Sequence, residues 1–219
     1  MRPLAIIGGT GPEGLGLALR FAAGGEAVVI GSRDAARAAA AAETVRTEVP
    51  GAEATGCANA EAIARSDRVF LTFPYQGLAA FLDASADALA ERLVVDVIVP
   101  LTLRAGFFEI AAVPGAGSVG ELIQARSPRA RVVSAFKNLS ADKLRDLRAP
   151  LEGDIVICGE DADARAEVAR LVGLLSGVRP VDAGRIANAR FLEAITPLLL
   201  NLNRRHRALT SIKILGFMP

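Results

Sequence analysis

The stretch LAIIGGTGPEG, residues 4–14, places a short apolar run directly before a glycine-rich turn. Gly9, Gly11 and Gly14 fit the G-x-G-x-x-G spacing of loops that bind dinucleotides between a first strand and a first helix. In such loops the first glycine permits a tight turn, the second lets the backbone approach a pyrophosphate, and the third lets helix and strand pack closely. The stretch therefore predicts dinucleotide binding at the start of the chain.

Apolar runs that suit buried strands alternate with Ala- and Leu-rich helical stretches along the remaining sequence. Strands are predicted near residues 4–8, 27–30, 54–57, 68–73, 93–97, 131–136, 154–158 and 179–181, and helices over 14–23, 34–45, 60–64, 78–91, 118–125, 161–175 and 186–206. This order predicts an α/β fold with a doubly wound, mostly parallel sheet of the NAD(P)-binding Rossmann type. We expect residues 1–181 to form the NADP-binding domain and residues 182–219 a small C-terminal helical extension of it. Pro197 should kink or break the last helix, and residues 211–217 have strand character.

The segment after the second predicted strand indicates which dinucleotide is bound. An NAD site usually has an acidic residue here for the ribose 2′-hydroxyl, but this chain has Ser32 and Arg33. Arg33 can hold a 2′-phosphate through two hydrogen bonds, Ser32 can donate a third, and Arg37 lies one turn further on. Asp34 is better explained as the N-cap of the following helix. The sequence therefore predicts NADP(H) rather than NAD(H).

Composition excludes several other classes of protein. Lys and Arg number 25 against 24 Asp and Glu, so the basic excess of a nucleic-acid binder is missing. No apolar run reaches the roughly 18 residues of a membrane span, and residues 4–7 are too short for a secretory signal. Cys57 and Cys158 are expected to be buried free thiols in a reducing cytoplasm. With one histidine and no Cys/His cluster, no metal site is expected.

Several motifs together resemble the deazaflavin-dependent NADP reductases, the coenzyme F420:NADP oxidoreductases of methanogens and actinobacteria. The matching segments cover nearly the whole chain: GGTGPEG (8–14), GSRD (31–34), FPY (73–75), VDVIVPL (95–101), VSAF (133–136), CGED (158–161), RPVDAG (179–184), NAR (188–190) and TPLLLNLN (196–203). The loop motif occurs in many folds, but the ordered set is specific to this family.

The resemblance implies hydride transfer between NADP(H) and C5 of the 8-hydroxy-5-deazaflavin ring of coenzyme F420. It also implies the NADP contacts, which are Thr10, Gly11, Pro12, Glu13, Ser32, Arg33, Arg37, Phe73, Gly77, Val99 and Ala135. Gly9, Gly14 and Pro74 complete the predicted cofactor-binding set. Independently of the resemblance, Phe73, Val99 and Ala135 lie near predicted strand ends, where a doubly wound sheet binds its ligands.

The segment after the sixth strand departs from the family pattern. Archaeal members have a His here and others an Asn-Thr pair, whereas this chain has Lys137-Asn138-Leu139-Ser140. The reduced acceptor gains negative charge on its pyrimidine side, which Lys137, Asn138 or a backbone N–H could stabilise. Lys137 and Asn138 are therefore the candidate catalytic residues. The acceptor site should otherwise be apolar, with walls from Phe73, Pro74, Tyr75, Val99, Pro100 and Leu139.

The departure leaves the hydride partner open. One alternative is an NADPH-dependent reductase of a flavin, a ferric complex or a small carbonyl or imine compound. Another is a redox sensor that binds NADP(H) without turnover.

The helix predicted over residues 186–206 carries apolar side chains on more than one face, which is typical of buried helices. A chain of this size has little core to cover it, so we expect a homodimer.

Overall fold

A computed structural model describes residues 2–216 of the chain, and its main feature is one sheet of eight strands. The strands of this part of the chain, of which β6 and β7 lie outside that sheet, are β1 Leu4–Ile7, β2 Val28–Ser32, β3 Ala54–Ala58, β4 Arg68–Leu71, β5 Leu93–Asp96, β6 Leu101–Arg104, β7 Phe107–Ile110, β8 Arg131–Ser134, β9 Gly153–Gly159 and β10 Val178–Asp182. The helices are α1 Pro12–Ala23, α2 Ala35–Glu48, α3 Asn59–Ala64, α4 Leu78–Ser85, α5 Val119–Arg126, α6 Ala141–Arg145, α7 Ala162–Val172 and α8 Ala189–His206.

The order of strands across the sheet is β10-β9-β8-β5-β4-β1-β2-β3. All neighbours from β8 to β3 are parallel, and the order reverses between β1 and β4. In open sheets of this kind, ligands bind outside the carboxyl ends of the strands at that reversal. The predicted α/β fold with a mostly parallel, Rossmann-type sheet is confirmed, and the glycine-rich loop lies at the reversal.

Three features of the fold differ from the sequence prediction. β9 runs antiparallel to β8, and β10 follows the direction of β9. β6 and β7 form an antiparallel hairpin where no strand was predicted. Of the tail predicted as a strand, residues 211–216 contain no assigned strand, although the Asp154 N–H donates to the Ile212 carbonyl at 2.8 Å; Phe217 lies outside the described residues.

The core packs on both faces of the sheet. On one face, the rings of Phe21, Phe70 and Phe136 form a cluster with centroids 5.0–5.9 Å apart. On the other face, Ile186 and Leu192 from the C-terminal segment join the apolar core beneath β1, β4 and β5. Burying such side chains is worth roughly 1.5–3 kcal/mol each, so the C-terminal segment contributes to the stability of the sheet.

Helix α8 continues through Pro197 to His206. The expected break at Pro197 is therefore wrong. The α8 residues Leu192, Glu193, Pro197 and Leu199 are buried. Their contacts with the remainder of the chain stabilise the helix although Pro197 has no N–H to donate.

Candidate functional site

The glycine-rich loop follows β1 at the carboxyl edge of the sheet. A Cβ atom added to Gly9 would lie 2.9 Å from both the Ile6 carbonyl and the Ile30 side chain. On Gly14, it would lie 2.4 Å from Thr72 Oγ1 and 2.8 Å from the Gly9 Cα. All of these distances are too short for a real Cβ atom. Internal packing therefore requires glycine at the first and third positions of the motif.

Gly11, the second glycine of the motif, has a different environment. A Cβ atom added there would meet one atom of the described residues within 4 Å, the Gly8 carbonyl oxygen at 3.4 Å. Its φ of −82° suits any residue, so the fold does not require glycine here. Gly11 is also the N-cap of α1, which begins without a side-chain cap. The open face and the free N–H groups at a positive helix end fit a pyrophosphate.

The end of β2 supplies the cationic side chains near this loop. Asp34 accepts hydrogen bonds from the Ala36 and Arg37 N–H groups at 2.9 and 3.2 Å, so its predicted role as the N-cap of α2 is confirmed. Ser32 is buried, and its Oγ accepts from the Asp34 N–H at 3.2 Å. Arg33 and Arg37 are exposed, and neither forms an ion pair within residues 2–216. Both guanidinium groups are therefore available to a 2′-phosphate.

The segment after β4 lies against the other side of the loop. Thr72 Oγ1 donates to the Ile7 carbonyl at 2.9 Å, which ties the ends of β4 and β1 together. Phe73 is half-buried, and a Cβ atom added to Gly8 would lie 2.8 Å from the Phe73 Cβ. Pro74 and Gly77 are exposed, and a Cβ on Gly77 would lie 3.5 Å from the Phe73 ring. The structure thus brings Phe73 to the loop, with Gly77 next to the Phe73 ring and Pro74 exposed beside it.

The two remaining strand-end candidates differ in access. Val99 is half-buried beyond the end of β5. Ala135 has no exposed surface, because its methyl group belongs to the core and its N–H donates to the Asp96 carbonyl at 3.1 Å. Ala135 is therefore a core residue next to the site, and its contact with the cofactor stays a prediction.

The two candidate catalytic residues are also turned inward. The Lys137 ammonium donates to Asp96 Oδ2 at 2.7 Å and to the Ile98 carbonyl, and it lies 3.5 Å from Glu193 Oε1. The Asn138 amide donates to the Asp154 carbonyl at 2.8 Å. Both side chains are buried, and each is bonded to groups of the protein interior. These contacts argue against the direct catalytic role predicted for Lys137 and Asn138.

Sequence reasoning missed the partners that hold these residues. Asp96 is one acid within the apolar run VVDVIV, and Glu193 lies on an apolar helix. An isolated acid in such a run is a signal, because a buried carboxylate needs a partner. Arg20 is a third missed residue. Its buried guanidinium donates to four backbone carbonyls between residues 143 and 149 and so anchors the segment around α6.

Comparisons with known proteins agree with this geometry. The family model described as NADP oxidoreductase, coenzyme F420-dependent, matches residues 3–100. An F420-dependent NADP reductase of Methanothermobacter thermautotrophicus is 39% identical over 210 residues, which cover 93% of this chain and 90% of that protein. This chain belongs to the family of coenzyme F420-dependent NADP oxidoreductases.

Two further relatives extend the similarity over the whole chain. An F420-dependent NADP reductase of Methanocaldococcus jannaschii is 36% identical, with 94% of each chain covered. A crystal structure from Arthrobacter sp. FB24, named as a candidate F420-dependent NADP reductase, superposes with a TM-score of 0.82 at 28% identity, covering 99% of this chain and 100% of that one. The C-terminal helical segment is therefore part of the fold shared with F420-dependent NADP oxidoreductases.

Residues 2–216 contain neither a membrane-spanning helix nor a metal-binding cluster of side chains. None of the helices there is long and apolar enough to cross a membrane. In that part of the chain, no group of three or more His, Cys, Asp or Glu side chains has a metal-binding arrangement.

Proposed function

We propose that this protein transfers a hydride between NADP(H) and coenzyme F420. The observation that carries the proposal is the carboxyl edge at the ends of β1 and β2. A helix start without a side-chain cap and an open glycine lie there, beside two exposed arginines that form no ion pair with any of residues 2–216. That combination suits a dinucleotide with a third phosphate, and membership of the family supports F420 as its partner.

The residues of this chain would divide the binding task. The loop residues Gly9–Gly14, with Thr10 and Pro12 on its surface, would bind the pyrophosphate, while Ser32, Arg33 and Arg37 would bind the 2′-phosphate. Bound NADPH supplies a hydride from C4 of its nicotinamide ring. The apolar side chains Phe73, Pro74 and Val99 would orient the ring face and exclude water, which is the main requirement for transfer between two flat rings. We further propose that residues 1–181 bind NADP(H). The extension from residue 182 would border the acceptor, because Thr196 on α8 donates to the Lys137 carbonyl at 2.7 Å, in the segment expected beside the acceptor ring.

A parallel assay tests the choice of acceptor. Oxidation of NADPH is followed at 340 nm with purified F420, FMN, FAD and ferric citrate. We expect kcat/KM for F420 to exceed that for each other acceptor by about tenfold or more, equivalent to about 1.4 kcal/mol of transition-state stabilisation. A higher value for a flavin or for ferric citrate would replace F420 as the substrate, and binding of NADPH without turnover would indicate a sensor.

Glu13 gives the cofactor site a pH dependence. Burial raises the pKa of its carboxyl from 4.5 to about 8, and within the described residues its Oε1 is buried without a hydrogen-bond partner. A carboxyl with this pKa is expected to be mostly protonated at pH 7 and to become an anion, close to the pyrophosphate loop, above pH 8. We expect the Kd for NADPH to rise up to about tenfold between pH 7 and pH 9, because about a tenth of the protein then carries the proton.

Fluorescence titration of NADPH at pH 7 and 9 measures this effect. Glu13→Gln should bind NADPH equally at both values, because the amide cannot ionise. A loss of affinity in Glu13→Gln that matches the unaltered protein would assign the pH dependence to another group.

We propose that the protein acts as a homodimer in the cytoplasm. Cys57 and Cys158 are buried free thiols, as is usual in a reducing compartment. Large apolar side chains are exposed on the β6–β7 hairpin and on α8: Leu103, Phe107, Phe191 and Leu198 are each 57–63% exposed. The hairpin and α8 are neighbours, because the Asn201 side chain on α8 accepts from the Phe108 N–H at 3.0 Å and donates to the Phe108 carbonyl at 2.9 Å. Together they offer an apolar surface for a second copy.

Light scattering at micromolar concentration tests the dimer. We expect the mass of two chains for the unaltered protein and of one chain for the double variant Phe107→Asp/Leu198→Asp, because two carboxylates in an apolar interface would remain unpaired. Leu215→Asp, which alters another exposed leucine, is the control and should remain dimeric. A monomeric unaltered protein would contradict the proposal.

A further inference from the structure

A buried cluster of three charges lies at the carboxyl edge of the sheet. Asp96 ends β5, Lys137 follows β8, and Glu193 lies on α8, yet their side chains are only 0%, 1% and 2% exposed. The Lys137 ammonium lies 2.7 Å from Asp96 Oδ2 and 3.5 Å from Glu193 Oε1. One cation therefore bridges an acid of the central sheet and an acid of the C-terminal helix.

Further hydrogen bonds fix the cluster from every side. Asp96 Oδ2 also accepts from Ser134 Oγ at 2.6 Å, and Asp96 Oδ1 accepts from the Ile98 N–H at 3.0 Å. Glu193 Oε1 accepts from the Val119 N–H, at the first residue of α5, at 2.9 Å. The cluster thus joins the ends of β5 and β8 to the start of α5 and to the middle of α8.

The same part of α8 is bonded to the backbone after β8. Thr196 Oγ1, one turn after Glu193, donates to the Lys137 carbonyl at 2.7 Å. Lys137 adopts its inward position because Phe136, immediately before it, has a φ of 62°. A phenylalanine in this left-handed region is strained, and its ring is held by Phe21 and Phe70. A strained turn that is kept by packing therefore directs the lysine toward α8.

We propose that Lys137, Asp96 and Glu193 form a charged clamp that positions α8 against the carboxyl edge and thereby sets the affinity for the hydride acceptor. The inference rests on the proposed function, in which the C-terminal extension borders the acceptor. Glu193 and Lys137 are then positioning residues: they do not touch the acceptor, and they fix the helix beside it.

The clamp contains two acids and one base, and this unequal number of charges makes it sensitive to pH. Burial, and next the charge of Asp96, raise the pKa of Glu193 from 4.5 to about 7, although Lys137 opposes this. When Glu193 is protonated, the positive charge of Lys137 cancels the negative charge of Asp96. When Glu193 is ionised, the clamp has a net charge of one negative unit. Cys158, on β9, also faces these groups, and burial raises its thiol pKa to about 12, so it stays neutral.

Helix α5, which also packs against Glu193, does not offset this negative charge. Helix α5 contributes Glu121, which is paired with Arg190 on α8 at 3.1 Å near the surface. No other charged side chain within residues 2–216 forms an ion pair with Glu193. Ionisation above pH 7 therefore weakens the attachment of α8, because two buried carboxylates then share the single Lys137 ammonium and the cluster carries a net negative charge.

Steady-state kinetics with purified F420 tests this role. If only the protonated clamp holds α8 in place, the KM for F420 rises up to about tenfold between pH 6 and pH 8. In Glu193→Gln, which cannot ionise and still offers an oxygen to the Val119 N–H, the KM should change much less. Ionisation of F420 itself acts equally on both proteins, so the difference between them reports on Glu193. The Kd for NADPH should be the same in both.

A control variant removes another ion-paired and largely covered carboxylate, at the opposite edge of the sheet. Glu26 is 12% exposed and pairs with Arg68 and Arg170 at 2.8–3.1 Å. Glu26→Gln should retain the KM profile of the unaltered protein. Equal pH dependence of the KM in Glu193→Gln and in the unaltered protein would overturn the clamp.

Hydrogen exchange separates failure of the clamp from failure of the proposed function. Exchange of peptides covering residues 189–206, corrected for intrinsic rates, should be faster at pH 8 than at pH 6 in the unaltered protein and in Glu26→Gln, and unchanged in Glu193→Gln. No turnover of F420 by the unaltered protein would overturn the proposed function, and the exchange data would still decide the clamp. Identical exchange in all three proteins would overturn it.

Discussion

Gly11→Val is expected to raise the Kd for NADPH about 100-fold or more, equivalent to about 2.7 kcal/mol, and to leave the fold intact. The reason lies in the surroundings of Gly11. Its φ of −82° and ψ of 164° are those of extended chain, which valine adopts readily. An added Cβ would meet no described atom closer than the Gly8 carbonyl oxygen at 3.4 Å. The new side chain would therefore occupy the space of the pyrophosphate rather than that of the protein.

Gly14→Ala is the matched comparison, because the two glycines belong to the same motif. An added methyl group at Gly14 would lie 2.4 Å from Thr72 Oγ1 and 2.8 Å from the Gly9 Cα. Overpacking of this kind typically costs 1–3 kcal/mol of stability, so we expect a lower melting temperature for Gly14→Ala and an unchanged one for Gly11→Val. NADPH fluorescence titration and thermal unfolding distinguish the two effects. Normal NADPH binding by a folded Gly11→Val would show that the pyrophosphate lies elsewhere.

The sequence predicted those parts of the fold that depend on neighbouring residues. The apolar run before the loop and the spacing of its glycines are local signals, and both lie where they were expected. Helix caps are equally local. Asp34 caps α2, and Ser118 caps α5 by accepting from the Glu121 N–H at 3.1 Å. Each cap satisfies an N–H group within three residues, so no distant contact is needed to specify it.

Strand direction and the β6–β7 hairpin depend instead on distant contacts. The apolar run of β9 has no feature that distinguishes parallel from antiparallel pairing, and its direction follows from its register with β8. The hairpin is held by Asn201, 93 residues further on, which donates to and accepts from the Phe108 backbone. The alternation of side chains within residues 101–110 is too weak to indicate a strand without that partner.

The candidate site shows the same division between local and distant information. The sequence located Ala135 and Lys137 at the end of a strand on the carboxyl edge, which is correct. It did not show that both face inward, because that orientation depends on the left-handed conformation of Phe136 and on acids contributed by β5 and α8. A lysine at a strand end faces a ligand or a buried acid according to what lies opposite, and Glu193 is 56 positions away.

Arg33→Ala is expected to raise the Kd for NADPH about tenfold, or about 1.4 kcal/mol, while the Kd for NADH stays the same. The exposed guanidinium of Arg33 forms no ion pair with residues 2–216, so its removal leaves no protein partner unsatisfied. A charge-assisted, two-pronged bond to a phosphate is among the stronger polar contacts, and NADH has no 2′-phosphate to make it. The loss should therefore appear only for the phosphorylated cofactor.

Two comparison variants refine that result. Arg37→Ala should have a smaller effect on NADPH binding, because Arg37 lies in the first turn of α2, four positions beyond Arg33, which directly follows β2. Arg2→Ala removes another exposed arginine, which pairs with Asp67 at 3.2 Å on the amino side of β1, and it should change neither Kd. The affinities come from fluorescence titrations of NADPH and NADH at fixed salt, since screening weakens exposed charge contacts. Equal affinities of the unaltered protein for the two cofactors would mean that neither Ser32 nor Arg33 holds a 2′-phosphate.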